Sequence, residues 1–560
     1  MSVCGLVYLS PLAAPTSTND EFSDNITFTM FLYIWLLALA AVLVLYLRRV
    51  YSRFEAAGVK HLPPLPLLGN MASIVFRKEH FVYAVDKEYS AFPEERFIGH
   101  YQFLKPDLII RDVDLLKNIT IKDFEHFIDH REFVNEEMDP IFGANMFSMK
   151  GQTWKDMRST MSPAFTSSKL KHMIPFMVEV GDQMISSLKK KIEDSGNQIL
   201  DIDSKDLVTR YANDVIASVA FGLKVDSQSD PDNEFFRMGN ETVATTFGQL
   251  FKFVGFSAFP AVMKKLKVTL FAEAGANFFR NIVLSTMRDR EERKILRRDM
   301  IHLLMEARKG TLSHDEKSGN DEGAGFATVE ESVIGKKTTT RVWTDNQIIA
   351  QAVTFFTAGF DTVSTAMSFL LYELAVNPEV QDKLAREVKE HAEANGGQYD
   401  YTAILQLPYL DMVVSELLRK WPPAGGTDRL CMKDYNVGRP NAHSEKDFIL
   451  KKGESIFVPI YSFHHDPRYF PNPSKFDPER FSAENKHAIK PFTYMPFGLG
   501  PRNCIGSRFA LCEVKVMVYQ LLQHIELVPC EKTQIPAELA TDSFGFKIKG
   551  GHWLGMKSRS

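Results

Sequence analysis

Phe497-Gly498-Leu499-Gly500-Pro501-Arg502-Asn503-Cys504-Ile505-Gly506, near the C-terminus, is the stretch on which the reading of this chain turns. A single cysteine, Cys504, follows a Gly/Pro turn and precedes an apolar segment, Ile505 to about Leu522, that reads as a helix. A cysteine at a helix start faces unpaired backbone N–H groups and the positive end of the helix dipole. Both favour thiolate over thiol, and thiolate is the form that binds a metal. Gly498, Gly500 and Gly506 allow a tight turn and the close approach of a flat ligand to the backbone. Arg502 offers a cation to a carboxylate beside the sulfur. The bland alternative is a buried structural cysteine in a glycine turn, the usual reading for a lone Cys.

The stretch resembles the haem-binding loop of the cytochrome P-450 superfamily, Phe-x-x-Gly-x-Arg-x-Cys-x-Gly. Phe497, Gly500, Arg502, Cys504 and Gly506 occupy its fixed positions, which displaces the bland reading. Upstream, Thr344 caps a helix expected to run to about Val376 and to stop at Asn377-Pro378. Inside it, Ala358-Gly359-Phe360-Asp361-Thr362 resembles the family's oxygen-activation segment. The resemblance implies small residues passing close to a haem face, a hydroxyl at Thr362 that holds water, and protons fed by Asp361. Val363 departs from the second hydroxyl residue often found there. A core helix with a Thr bonded back to its own backbone is the competing reading.

Trp154 and Arg158 are four residues apart, hence on one helical face, and match the family's Trp-x-x-x-Arg helix. The resemblance assigns them, with Arg429, to haem propionates. Glu416, Arg419 and Arg480, from Glu-Leu-Leu-Arg and Pro-Glu-Arg-Phe, are implied to form one buried structural network. Ala424 to Thr427 is implied to border the haem and shape the substrate site. Phe142, Phe147, Phe355 and Phe544 are candidate pocket walls, Phe544 from a hairpin turn at Asp542–Phe546. His464 and His465 are adjacent and do not converge in an extended segment, so they read as structural. Leu108-Ile109-Ile110 reads as a short strand. Lys309 to Lys337 reads as a polar surface loop with no assigned chemistry.

Phe28 to Leu47 is apolar for about 20 residues, long enough to cross a bilayer. Asp20, Glu21 and Asp24 precede it and Arg48, Arg49 and Arg53 follow, which keeps the body cytosolic. A cleaved signal peptide would have a shorter apolar core with basic residues ahead of it. The expected division is a luminal tail at 1–27, an anchor at 28–47, a basic and Pro-rich linker at 48–70, and a catalytic domain at 71–560. Met30 is a second candidate start, which would remove the tail and its sequon at Asn25. Phe247 to Phe259 holds too many Phe residues for a simple exposed loop, and the resemblance implies a membrane-dipping channel mouth there, against core packing of a helix end.

The fold expected is mainly α with small β-sheets, a cytochrome P-450 fold with one N-terminal transmembrane helix. Within the superfamily, Ala-Gly-Phe-Asp-Thr-Val-Ser-Thr looks most like the insect microsomal branch near its ninth family. A net charge of −4 gives no basic field for nucleic acid. Five widely spaced cysteines form neither a zinc pattern nor a disulfide framework, which suits a reducing compartment for the body.

The resemblance implies haem b with an axial Cys504 thiolate, and insertion of one oxygen atom from O2 into a small apolar substrate, xenobiotic or endogenous. No flavin or nicotinamide fingerprint is present, so electrons come from NADPH through cytochrome P-450 reductase, with cytochrome b5 a further candidate donor. Lys155 and Lys515 are candidate docking residues. The implied location is the endoplasmic reticulum membrane. Two rivals use the same loop: a haem-thiolate isomerase or dehydratase that needs no O2 or reductase, and a non-catalytic membrane haem protein. The Asp361-Thr362 pair argues against both.

Overall fold

The computed structural model describes residues 18–559, apart from 133, 244–246, 271–272, 298, 310–324, 333, 336–340 and 397–400. For 18–27, 247, 249–251, 253 and 401–402 it describes the backbone only. Residues 1–17 of the expected 1–27 tail lie outside the described residues, as do the side chains of Asn25, Phe247, Phe251 and Phe253, while the backbone of 18–27 already belongs to the first helix.

The architecture is mainly helical, with three small sheets among the described residues. Its spine is the long helix Asp345–Val376. Thr344 caps it as expected, in a reciprocal box. The Gln347 N–H donates to Thr344 Oγ1 at 3.3 Å, and the Thr344 N–H donates to Gln347 Oε1 at 3.2 Å. Pro378 opens the next helix, Pro378–Ala394, and ends this one. The spine is apolar nearly all round and therefore buried nearly all round. Its first half joins a core with Trp154, Phe221 and Phe279. Its second half joins another with Trp421, Met517 and Tyr519.

The largest sheet has spatial order Phe97–Gln102, Lys105–Ile110, Ser455–Val458, Thr427–Leu430. The outer pairs are antiparallel and the central pair is parallel. The expected strand at Leu108–Ile110 is the buried end of Lys105–Ile110. Thr427–Leu430 carries Arg429, so this sheet positions one wall of the site described below. The expected C-terminal hairpin is present in short form. Leu539 bridges Ile548 antiparallel, and Asp542–Phe546 lies in the turn.

The apolar N-terminal segment is one helix, Thr18–Glu55, whose side chains from Phe28 onward are exposed along the apolar stretch. One helix of this length and apolarity fits a membrane anchor. The helix does not stop at Leu47. Residues 48–55, expected in the linker, continue it because its last turn docks on the sheet region. Arg53 holds Glu454 through two nitrogens at 2.8 and 3.0 Å, and Phe54 is buried against Tyr101 and Phe448. The proline segment that follows is also tied down, through bridges from His61 to Gly99 and from Gly69 to Gln102. Gly69 has φ +60°, and a Cβ there would lie 2.2 Å from the Tyr101 carbonyl oxygen.

Candidate functional site

The cysteine loop is closed by its own backbone. The Cys504 N–H donates to the Phe497 carbonyl at 2.8 Å, Asn503 to Gly500 at 3.0 Å and Gly498 to Met495 at 3.0 Å. Gly500 has φ +69°, and a Cβ would meet the Thr120 carbonyl oxygen at 1.9 Å, so only glycine fits. The apolar helix begins at Ser507, with Gly506 at its cap. Cys504 is open to an interior cavity of about 420 Å³. Burial pushes its thiol up, while the Gly506 N–H and the Arg158 charge pull it down. The helix start is expected to favour the thiolate, and desolvation opposes it as the larger effect here. The Gly506 N–H and the Arg158 charge offset that burial only in part.

That cavity gathers residues from distant parts of the chain. Phe355, Ala358, Gly359 and Thr362 of the spine line it, as do Phe497, Cys504 and Gly506 of the loop. Trp154, Arg158, Arg429, Arg502, His130 and Phe147 also line it. Arg158 and Arg429 are buried and the Arg502 side chain is 3% exposed, and burial lowers Arg429 to about 10 and Arg502 well below its usual range. Arg429 bonds Thr427 Oγ1 at 3.1 Å and the Asp428 carbonyl at 2.6 Å, and its Nε has no partner. An orphaned guanidinium nitrogen among clustered buried arginines marks a place for an anion. A flat cofactor carrying carboxylates and a metal suits this donor set.

A family profile described as "Cytochrome P450" spans residues 60–554. "Cytochrome P450 9e2" from Blattella germanica is 43% identical over 546 residues, covering 94% of this chain and 98% of its own length. "Probable cytochrome P450 9f2" from Drosophila melanogaster is 43% identical over 515 residues, with 90% and 95% covered. "Probable cytochrome P450 6a13" from the same fly is 37% identical, with 91% and 95% covered. The chain belongs to the cytochrome P-450 family. Its relatives at 43% identity carry ninth-family names and come from insects, the branch its sequence resembles. As a cytochrome P-450 it is a haem-thiolate monooxygenase, an oxidoreductase whose cofactor is haem with a cysteine thiolate ligand.

Against the haem of a cytochrome P-450, the arginines are not equivalent. A guanidinium carries five N–H donors. Arg502 directs its own at the carbonyls of Ile128 (2.8 Å), Met146 (3.2 Å), Phe147 (3.5 Å) and Met149 (2.9 Å) and at Asp129 (3.5 Å). Its guanidinium carbon lies 4.0 Å from the Trp154 ring centroid. It staples 128–149 to the cysteine loop and adds charge. Arg158 spends its donors on Asn503 and Glu331, leaving one. Arg429 keeps the most donor capacity for a carboxylate. His130, which sequence reading missed, lines the same cavity, stacked on Phe147 at 4.3 Å with Nδ1 3.1 Å from Asp428. Nothing in Asp129-His130-Arg131 marks it, since its partner Asp428 is hundreds of residues away.

Thr362 and Asp361 part company. Thr362 opens to the cavity and donates to the Ala358 carbonyl at 2.6 Å, so it shows both the back-bond and the exposure. Asp361 does not line the cavity. It lies half-exposed with Oδ1 3.5 Å from Lys205 Nζ. Phe147 and Phe355 line the cavity, whereas Phe142 and Phe544 do not. Phe544 instead packs in a small cluster with Met71, Ile74 and Phe103. Neither expected docking lysine is a free cation. Lys515 is fully buried and pairs with Asp411 at 2.9 Å, and Lys155 pairs with Glu125 at 2.8 Å.

Glu416, Arg419 and Arg480 meet away from the cavity. Glu416 takes both Arg419 Nη2 (2.7 Å) and Nε (2.8 Å), and its Oε1 lies 3.5 Å from Arg480 Nε. His464 links this network to the cysteine loop. Its Nδ1 donates to the Arg419 carbonyl at 3.1 Å and its Nε2 accepts the Met495 N–H at 2.9 Å. Burial beside Arg419 lowers it to about 3, so it is neutral, as that pairing requires. His465 bonds the Tyr461 carbonyl at 2.9 Å.

Proposed function

We propose that this chain inserts one atom of O2 into a small apolar organic molecule, using electrons from NADPH delivered by a membrane-bound reductase. The observation that carries this reading is the apolar cavity whose wall includes both Cys504 and Thr362. Haem bound there supplies oxygen activation, and the thiolate's electron donation favours O–O cleavage. The chain's own residues do the rest. Cys504 ligates, Arg429 and Trp154 hold the carboxylate edge, and Phe355 and Phe147 exclude water. Asp361 is the outer end of a proton path, where solvent and Lys205 reach it, and Thr362 is the inner end. With its hydrogen committed to Ala358, Thr362 Oγ1 retains lone pairs to hold a water in the cavity.

Thr362→Ala tests this reading. Haem binding and the spectral response to substrate are expected to persist. Product per NADPH should fall by ~10²–10⁴-fold, the usual cost of losing one positioned proton-transfer group, with the electrons recovered as peroxide. Unchanged product per NADPH would remove Thr362 from the path. Turnover without NADPH or O2 would favour the isomerase reading instead.

The location proposed is the endoplasmic reticulum membrane, with the tail in the lumen and the body in the cytosol. Arg48, Arg49 and Arg53 after the anchor support this orientation. A second, shallow contact is proposed at two neighbouring segments. Leu65, Leu67 and Phe76 on one and Phe259, Val262 and Leu266 on the other are exposed. Leu68 and Val75 pack in one cluster with Val254 and Ala258, which puts the two segments side by side. Protease added to sealed microsomes should digest the body and spare at most the anchor and tail. A protected body would reverse the orientation and exclude a cytosolic reductase.

A further inference from the structure

The loop that sequence reading left without chemistry returns to the cysteine. Residues 325–332 run from Phe481, Tyr494 and Asp411 to Asn503, the neighbour of Cys504. At one end Phe326 packs edge-on to Phe481 at 5.2 Å and against Tyr494 at 5.5 Å, and its N–H donates to Asp411 at 2.9 Å. Ala327 is buried in the main core. At the other end the Glu330 carbonyl accepts from Asn503 Nδ2 at 3.0 Å. Glu331 takes Arg158 through Nε at 3.1 Å and Nη2 at 2.7 Å. Arg158 in turn donates to the Asn503 carbonyl and to its Oδ1, both at 2.7 Å.

An ordinary surface ion pair would have neither buried partner nor anchors on both sides. Here the Arg158 side chain is 3% exposed and Glu331 is its carboxylate partner. We propose that residues 325–332 are a strap belonging to the thiolate site, with Glu331 a positioning residue that fixes Arg158 and Asn503 and thereby tunes the Cys504 sulfur. The strap places a negative charge one guanidinium away from the residue beside the ligand. Groups that hold a ligand's neighbours set its donor strength and the potential of the metal it binds. This rests on Cys504 being the haem ligand.

The test is the reduction potential of haem-loaded protein, measured without turnover. Glu331→Gln keeps the shape and removes the charge. Its one-electron reduction is expected to become about tenfold more favourable, a shift of about 59 mV to more positive values. Glu330→Gln, one residue away and using only its carbonyl toward Asn503, removes the same charge and should shift the potential much less. Phe326→Ala releases the strap's far anchor and should move the potential in the same direction as Glu331→Gln, by a smaller amount. Equal shifts for Glu331→Gln and Glu330→Gln would reduce the effect to net charge and overturn the proposal, as would no shift or a negative one. If Glu331→Gln fails to load haem, Phe326→Ala decides, and an unchanged potential there overturns it. Each variant is first scored for the red-shifted band of its reduced carbon monoxide complex. Failure of Cys504 as the ligand would show instead as that band surviving in Cys504→Ser.

Discussion

Cys504→Ser is expected to abolish the red-shifted absorbance band of the reduced carbon monoxide complex and to bring monooxygenation to background. Serine is nearly the same size and costs the loop little, since the Cys504 side chain faces the cavity rather than the core. What it lacks is an accessible anion. Without thiolate donation, haem loses the push that favours O–O cleavage. The other described cysteines offer no substitute. Cys512 is buried and pushed up to about 12, and Cys431 is pushed up to about 11 and donates to the Lys433 carbonyl at 2.7 Å. Neither they nor Cys530 line the cavity. Retention of the band in the mutant would move the ligand to another residue.

The cysteine loop and the spine were legible because local rules decide them. Thr344 with Gln347, and Pro378 at the far end, set the bounds of the long helix without help from the rest of the chain. The Gly500 turn is forced by its own backbone conformation. Partners distant in sequence were not legible. Lys515 sits on a mostly apolar helix, and only the fold reveals Asp411 as its partner. Arg158 matched a motif, but most of its donors go to Glu331 and Asn503, and Glu331 lies in a stretch whose composition reads as solvated loop. The anchor's continuation to Glu55 depends on Glu454, some four hundred residues on. Phe142 and Phe544 show the limit for aromatic residues: composition says they pack, and only the fold says against what.

Loss of either member of the Glu416–Arg419 pair is expected to prevent haem-loaded protein from accumulating. Both side chains are fully buried. Removing one partner of a buried pair leaves an uncompensated charge and costs about 3–5 kcal/mol. That is a large part of the about 5–15 kcal/mol by which a typical protein is stable. The two mutants should differ. In Arg419→Ala, Glu416 still faces Arg480 at 3.5 Å and accepts the Asp477 N–H at 2.9 Å. In Glu416→Ala, Arg419 keeps only the carbonyls of His464 and Lys475, each at 3.2 Å, and no carboxylate. Glu416→Ala should therefore be the harsher. The damage also reaches the ligand loop. The Arg419 carbonyl sets the tautomer of His464, which holds Met495, whose carbonyl holds Gly498 in the turn before Cys504. Expression of both mutants with haem in excess, read as the ratio of haem absorbance to protein, checks this. A ratio near wild type in both would show the network to be dispensable. Near-normal loading in Glu416→Ala with none in Arg419→Ala would reverse the assignment of which charge the interior cannot tolerate alone.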